Sequence, residues 1–180
     1  VALSAHALRV EWLTDPVGID TLRPRFRWLL LAPEAARDVS AAGARVIVAS
    51  GAQTALSALL DHLTRPGDTI LAEAFAYPGL LATAARRGLT VVACPMDAEG
   101  LEPEALDRLI ARHRPRLLCC TPTFQNPTAA TMGLARRDAV VAIARAAGVT
   151  ILEDDAYGLL PTAPLPALAA LWPEGVFHIA

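Results

Sequence analysis

Lysine is absent from the 180 residues: all sixteen basic side chains are arginine. Chemistry that needs a side-chain amine is therefore closed to these residues. Excess charge of either sign is absent too. Sixteen basic against eighteen acidic residues leave a formal charge of -2, which excludes the basic footprint that nucleic acid or an anionic membrane surface demands. Long apolar runs are missing although 54% of the residues are hydrophobic. Prolines, arginines and acids interrupt each run before it reaches bilayer length, and the N-terminus lacks the basic-then-apolar layout of a signal peptide. The chain reads as soluble and cytoplasmic. Cysteine is scarce and odd in number: Cys94, Cys119 and Cys120 read as reduced, buried thiols, the last two pointing to opposite faces of a strand. His6, His62, His113 and His178 are dispersed without ligand spacing, so no metal site is expected. There is no G-x-S-x-G elbow, and no phosphate loop of the GxxxxGK[ST] kind. Neither an internal repeat nor a low-complexity segment is found.

What is present is an alternation. From Arg45 onward, short aliphatic runs exchange with amphipathic stretches across Gly/Pro turns. The pattern predicts strands at 45–50, 69–73, 89–95, 116–122 and 149–153, with helices over 52–63, near 77–87, near 103–112 and over 134–147. In the third helix Leu106, Leu109, Ile110 and His113 fall on one face, and Pro103 stands where the first turn tolerates it. Gly148 supplies a left-handed stop for the fourth. Arg136 and Arg137 read as the charged first turn of that packed helix. Strands recurring with helices between them imply an α/β fold, a mostly parallel sheet with helices on both faces. In such sheets ligands bind beyond the carboxyl ends of the strands. Residues 1–44 differ: 8–34 carries prolines, tryptophans and strand-like alternation, with no clear helix. Two domains are expected, 1–44 and 45–180.

Four loops at predicted strand ends carry the candidate chemistry. "ASGAQTAL" (49–56) opens a helix whose free N–H groups near Ala52 and Gln53 suit a phosphate, although Ser50 acting as a plain N-cap explains the same residues. "EAFAYPG" (73–79) offers Tyr77, either to stack on a planar ligand or to pack on the core at a helix start. "TPTFQNPTAATMG" (121–133) presents Asn126 ahead of Pro127, which presses it toward an extended conformation. "ILEDDAYG" (151–158) gathers three acids at a strand end. They suit a metal, a solvated turn, or a carboxylate under a basic ring nitrogen, the arrangement by which pyridoxal phosphate (PLP) is kept protonated as an electron sink. Only the last account uses all four loops.

"SGAQ", "EAFAYPG", "TPTFQNPT" and "ILEDDAYG", in this order and at these separations, resemble the class I/II aminotransferases of PLP fold type I, and equally the aminotransferase-like domains of winged-helix transcription regulators. The resemblance spans about 45–180. It implies that Ala52 and Gln53 serve the cofactor phosphate and Tyr77 stacks on the ring. Asn126 and Tyr157 would reach the ring hydroxyl oxygen, and Asp154 would pair with the pyridine nitrogen. It leaves Glu153 as a strand-end partner for its neighbours and Asp155 as a turn residue. It further implies an amino acid and a 2-oxo acid as small-molecule substrates, and a homodimer in intact relatives.

Two departures stand out. The family usually continues "NPTG", whereas Ala129 follows Thr128 here, which stiffens the loop and leaves Asn126 in place. The family's Schiff-base lysine lies beyond a strand like "GVFHIA" (175–180), where these residues end, so a partial active site, inactive alone, is expected. Residues 8–34 resemble instead the start of bacterial α-L-rhamnosidases, which suggests a foreign segment joined near 40–48. An aminotransferase, a PLP-sensing regulator domain and an inactive chimera are the three readings that follow.

Overall fold

The computed structural model describes residues 4–10, 13–14, 26–31, 47, 49–158 and 160–180. It divides into two compact units, Val1–Val48 and Ala49–Ala180. In the first unit β1 (Ser4–Val10), β2 (Leu13–Thr14) and β3 (Phe26–Leu31) form an antiparallel sheet in the order β2-β1-β3, with a register irregularity between His6 and Arg9. Half of the strand expected at 45–50 lies outside the described residues, and the described Ile47, Ala49 and Ser50 are not in strand.

In the second unit five parallel strands line up as β10-β9-β8-β4-β5. They are β4 (Thr69–Glu73), β5 (Thr90–Cys94), β8 (Leu117–Cys120), β9 (Thr150–Asp154) and β10 (Val176–Ile179), and the connections carry α1 (Ala52–Leu63), α2 (Pro78–Arg86), α3 (Pro103–His113), α4 (Leu134–Ala147) and α5 (Leu168–Leu171). Two small features escape the periodicity argument. The hairpin of β6 (Met96–Asp97) and β7 (Gly100–Leu101) and the four-residue α5 are too short to show a period.

Strand residues alternate between two cores, as a pleated sheet covered on both faces requires. Leu71, Leu118, Cys120 and Ile151 face Leu106, Ile110, Val140, Val141, Ala144 and Leu168 of α3, α4 and α5. Ile70, Ala72, Leu117, Cys119 and Leu152 face Leu56, Leu60, Leu80 and Ala84 of α1 and α2. Each of these side chains is at most 7% exposed, and burying one leucine contributes about 1.5–3 kcal/mol. Cys119 and Cys120 do point to opposite cores, and all three cysteines are free and buried. Burial pushes the Cys94 thiol up to about 12 and the other two well above their ordinary value, which keeps them protonated and unreactive.

From β4 the chain first adds β5 on one side and then β8 on the other. The strand order therefore reverses between β4 and β8, and the crevice at such a switch point is where open α/β sheets hold ligands.

Candidate active site

Ala52, Gln53, Leu56, Tyr77, Thr121, Asn126, Asp154, Ala156 and Tyr157 line one cleft of about 160 Å³ beyond that switch point. All six residues singled out in the sequence are among them: Tyr77, Asn126, Asp154 and Tyr157 come from the ends of the parallel strands β4, β8 and β9 or the segments after them, and Ala52 and Gln53 from the start of α1.

The first wall is the start of α1. Its N-cap is Gly51, at φ 100 and without a side-chain cap, so Ser50 does not take the capping role. The Ser50 hydroxyl lies instead 3.4 Å from that of Thr54. The opening N–H groups of a helix have no acceptor within it, and those of Ala52 and Gln53 stand at the cleft with the positive end of the helix behind them. The Gln53 amide is turned to α2, where its Nε2 donates to the Thr83 hydroxyl at 3.1 Å.

Tyr77 forms the second wall as the N-cap of α2, half-buried against the core under α1 and α2. Gly79 lets the ring lie close: a Cβ there would run into both the Tyr77 ring and the Gln53 amide. Tyr77 thus packs on the core and lines the cleft with one side chain.

The third wall is the loop after β8. Asn126 is half-buried and joined to Pro127 by a cis peptide bond. Gln125, only 1% exposed, organises the turn. Its Nε2 donates to the carbonyls of Phe75 at 2.6 Å and Asn126 at 3.0 Å, and its Oε1 accepts from the Thr128 N–H and hydroxyl at 3.0 and 2.6 Å. Buried Arg137 of α4 supports the same loop through the carbonyls of Pro122 and Met132 and the Thr123 hydroxyl, at 2.9–3.1 Å. It is wholly buried, which corrects its reading as part of a charged first turn. Arg136 keeps that reading: it pairs with Asp97 at 2.7 Å and Glu99 at 3.2 Å on the β6–β7 hairpin.

The last wall is the end of β9, where side-chain alternation separates the acids. Asp154 shares its face with Leu152 and enters the cleft; Glu153 shares the opposite face with Ile151. There Glu153 accepts from the N–H groups of Leu168 and Ala169 at 2.7 and 3.0 Å, capping α5, and meets His178 Nδ1 at 2.9 Å. Glu153, Asp155 and His178 bring their ligand-type atoms within 4.8 Å of one another, a grouping that the scattered histidines of the sequence do not announce. Both Glu153 oxygens are already engaged by the α5 cap and His178, so the cluster serves the fold.

Burial raises the Asp154 carboxyl above its ordinary value, with Asp155 adding to the rise and the Ala156 N–H opposing it. Among the described residues no arginine or histidine pairs with Asp154. A half-buried carboxylate of this kind lacks a cation. The cleft therefore gathers the opening of a helix, an aromatic side chain and a carboxylate without a cationic partner among the described residues. A flat molecule carrying an anionic group and a basic ring nitrogen satisfies all three.

The profile of the family described as "Aminotransferase class I and II" matches residues 16–172. The chain is 33% identical over 135 residues to the uncharacterized HTH-type transcriptional regulator YdeF of Bacillus subtilis, covering 75% of this chain and 29% of that protein. It is 33% identical over 128 residues to the 2-aminoadipate transaminase of Thermus thermophilus, covering 70% and 32%. The crystal structure of LysN, the α-aminoadipate aminotransferase of Thermus thermophilus complexed with N-(5'-phosphopyridoxyl)-L-leucine, superimposes with a TM-score of 0.70 at 30% identity, over 78% of this chain and 39% of that one. The chain thus spans about a third of the length of these relatives. By the family match, which agrees with the parallel sheet and the cleft beyond its switch point, the chain belongs to the aminotransferase class I and II family.

Proposed function

We propose that this chain is the cofactor-holding part of a PLP-dependent aminotransferase-type domain, acting on amino acids and 2-oxo acids. The observation that carries the reading is the convergence of Ala52, Gln53, Tyr77, Asn126, Asp154 and Tyr157 on one cleft whose one carboxylate has no cationic partner among the described residues. The residues fit the cofactor. The α1 N–H groups at Ala52 and Gln53 suit its phosphate, Tyr77 its ring face, Asn126 and Tyr157 its hydroxyl oxygen, and Asp154 its ring nitrogen. When bound, PLP supplies an electron sink for bonds at the substrate's α-carbon. The residues here bind and orient it, and Asp154 holds a proton on the ring nitrogen. Because no lysine occurs in the 180 residues, they hold the cofactor without a covalent bond from a side-chain amine.

A second reading has its own support: the likeness to the regulator YdeF fits a PLP-sensing domain with the same cleft. Either reading is compatible with a homodimer in the cytoplasm. Among the described residues no helix is long and apolar enough to cross a membrane. The first 44 residues are proposed as a separate β segment, whose likeness to rhamnosidases rests on 8–34.

The test is titration of PLP into the purified chain, followed by absorbance. Saturable binding is expected, weakened roughly ten-fold or more in Asp154→Asn, as befits loss of a charge-assisted hydrogen bond in a sheltered site. Borohydride followed by intact-mass measurement is expected to trap no adduct beyond the Val1 amine. Uptake that ignores the Asp154 substitution rules the reading out.

A further inference from the structure

Glu73 ends β4 and is 4% exposed, yet no basic group among the described residues pairs with it. Its oxygens are turned across the switch point instead. Oε1 accepts from the Thr121 N–H at 3.1 Å and Oε2 from Gln125 Nε2 at 3.1 Å. Gln125 passes the link on: its two amide hydrogens are shared among Glu73 Oε2 and the carbonyls of Phe75 and Asn126, and its Oε1 accepts from Thr128. These bonds join the turn that leads into Tyr77 to the turn that carries Asn126. Both turns contribute lining residues to the cleft.

We infer that Glu73 and Gln125 form a positioning pair that fixes the spacing of the Tyr77 and Asn126 walls and thereby how tightly the cofactor ring is held. The inference rests on the PLP reading above. Neither residue lines the cleft, so their influence runs through residues that do: Tyr77, Asn126, Thr121, whose N–H Glu73 accepts from, and Asp154, which feels the charge of Glu73.

The choice of a carboxylate supports a role beyond stability. Burial lifts Glu73 to about 7, with the Gln125 and Thr121 hydrogen bonds opposing the rise and the charge of Asp154 adding to it. Its ionised form is therefore a cost to the fold, and a glutamine of the same shape avoids that cost. What glutamine loses is the charge-assisted acceptor for Gln125. The titratable groups facing Glu73 are Cys94 on β5, Cys119 and Cys120 on β8 and Asp154 on β9. The thiols stay neutral at ordinary pH, which leaves Asp154 as the one other charge. The sign follows: above about pH 7 Glu73 is ionised and the link to Gln125 is strong, and below it protonation weakens the link.

The experiment compares PLP dissociation constants of wild type, Glu73→Gln, Thr128→Val and Asp154→Asn between pH 6 and 8.5, with melting temperatures alongside. Ionisation of the free cofactor is common to all and cancels in the ratio of variant to wild type. For Glu73→Gln the ratio is expected to be roughly ten at pH 8 and to fall toward one at pH 6, while the melting temperature at pH 8 is unchanged or higher. Thr128→Val, which removes an exposed hydroxyl from Gln125, is expected to weaken binding in the same direction by a smaller factor. A ratio near one throughout, or one that stays constant with pH as a merely structural role dictates, overturns the inference. If Glu73→Gln does not fold, wild-type affinity in Thr128→Val overturns it. Wild-type uptake that depends on Asp154 but not on Glu73 defeats this inference alone; no uptake, or uptake indifferent to Asp154, defeats the PLP reading and the inference with it.

Discussion

Ala129 stands at φ 59, in the left-handed region where a Cβ is crowded by the following carbonyl. The family's "NPTG" has glycine there, and the backbone gives the reason: the turn after Asn126 needs a left-handed residue whether or not a side chain is present. Ala129 N–H reaches the Gln125 carbonyl at 2.6 Å, so the turn is kept at the expense of strain. Ala129→Gly is expected to stabilise the chain by about 0.5–1 kcal/mol, the relieved strain less the entropy that glycine restores to the unfolded state. Urea denaturation measures it, and a destabilised variant contradicts it. At the same scale strand period separates two of the three acids. Neighbours on β9 go to opposite faces, so Asp154 and Glu153 have unrelated surroundings.

Among the elements, α4 does more than cover the sheet. Arg137 sits near its start with the guanidinium wholly buried, donating to Met132, Pro122 and Thr123 and, at 3.1 Å, to the Pro166 carbonyl ahead of α5. One side chain thus ties the loop after β8 to the segment before α5. Burial lowers its pKa while Asp155 and Glu153 favour its charge. Arg137→Met fills similar volume but takes the guanidinium donors from Met132, Pro122, Thr123 and Pro166 and removes the positive charge near Asp155 and Glu153. A loss of about 3–5 kcal/mol is expected, read as a fall in the urea midpoint, and retention of wild-type stability disproves the tie. No periodicity argument separates Arg136 from Arg137, because adjacent helical positions differ only by 100° and the burying partner comes from a distant loop.

Over the whole unit from Ala49 to Ala180, stability is linked to pH through the joint between β9, β10 and α5. Hydrogen bonding to Glu153 raises the His178 pKa, burial opposes the rise, and Asp155 adds to it. A histidine whose folded pKa lies above its unfolded value of about 6.5 stabilises the fold below that value and loses the contribution as pH rises through the folded pKa. The side chain is 29% exposed, so the gain is modest. Wild type is expected to exceed His178→Asn in melting temperature at pH 5.5–6 by more than at pH 8.5. Equal differences at both ends remove His178 from the linkage.

The sequence by itself determined most of the alternation of strands and helices and the parallel sheet, and its loop motifs with their family resemblance pointed to six of the residues that line the cleft. Aliphatic runs, Gly/Pro turns and loop motifs at strand ends are local, and parallel strands necessarily bring such ends to one edge. The tertiary structure alone decided which residues act through others. The Glu73–Gln125 link spans 52 positions of sequence and the Glu153–His178 contact 25, and neither has a period or spacing to betray it. Strand order is likewise silent in the sequence, because placing β8 beside β4 rather than β5 depends on which helices cover each face. That placement opens the crevice, and the crevice turns four separate loops into one site.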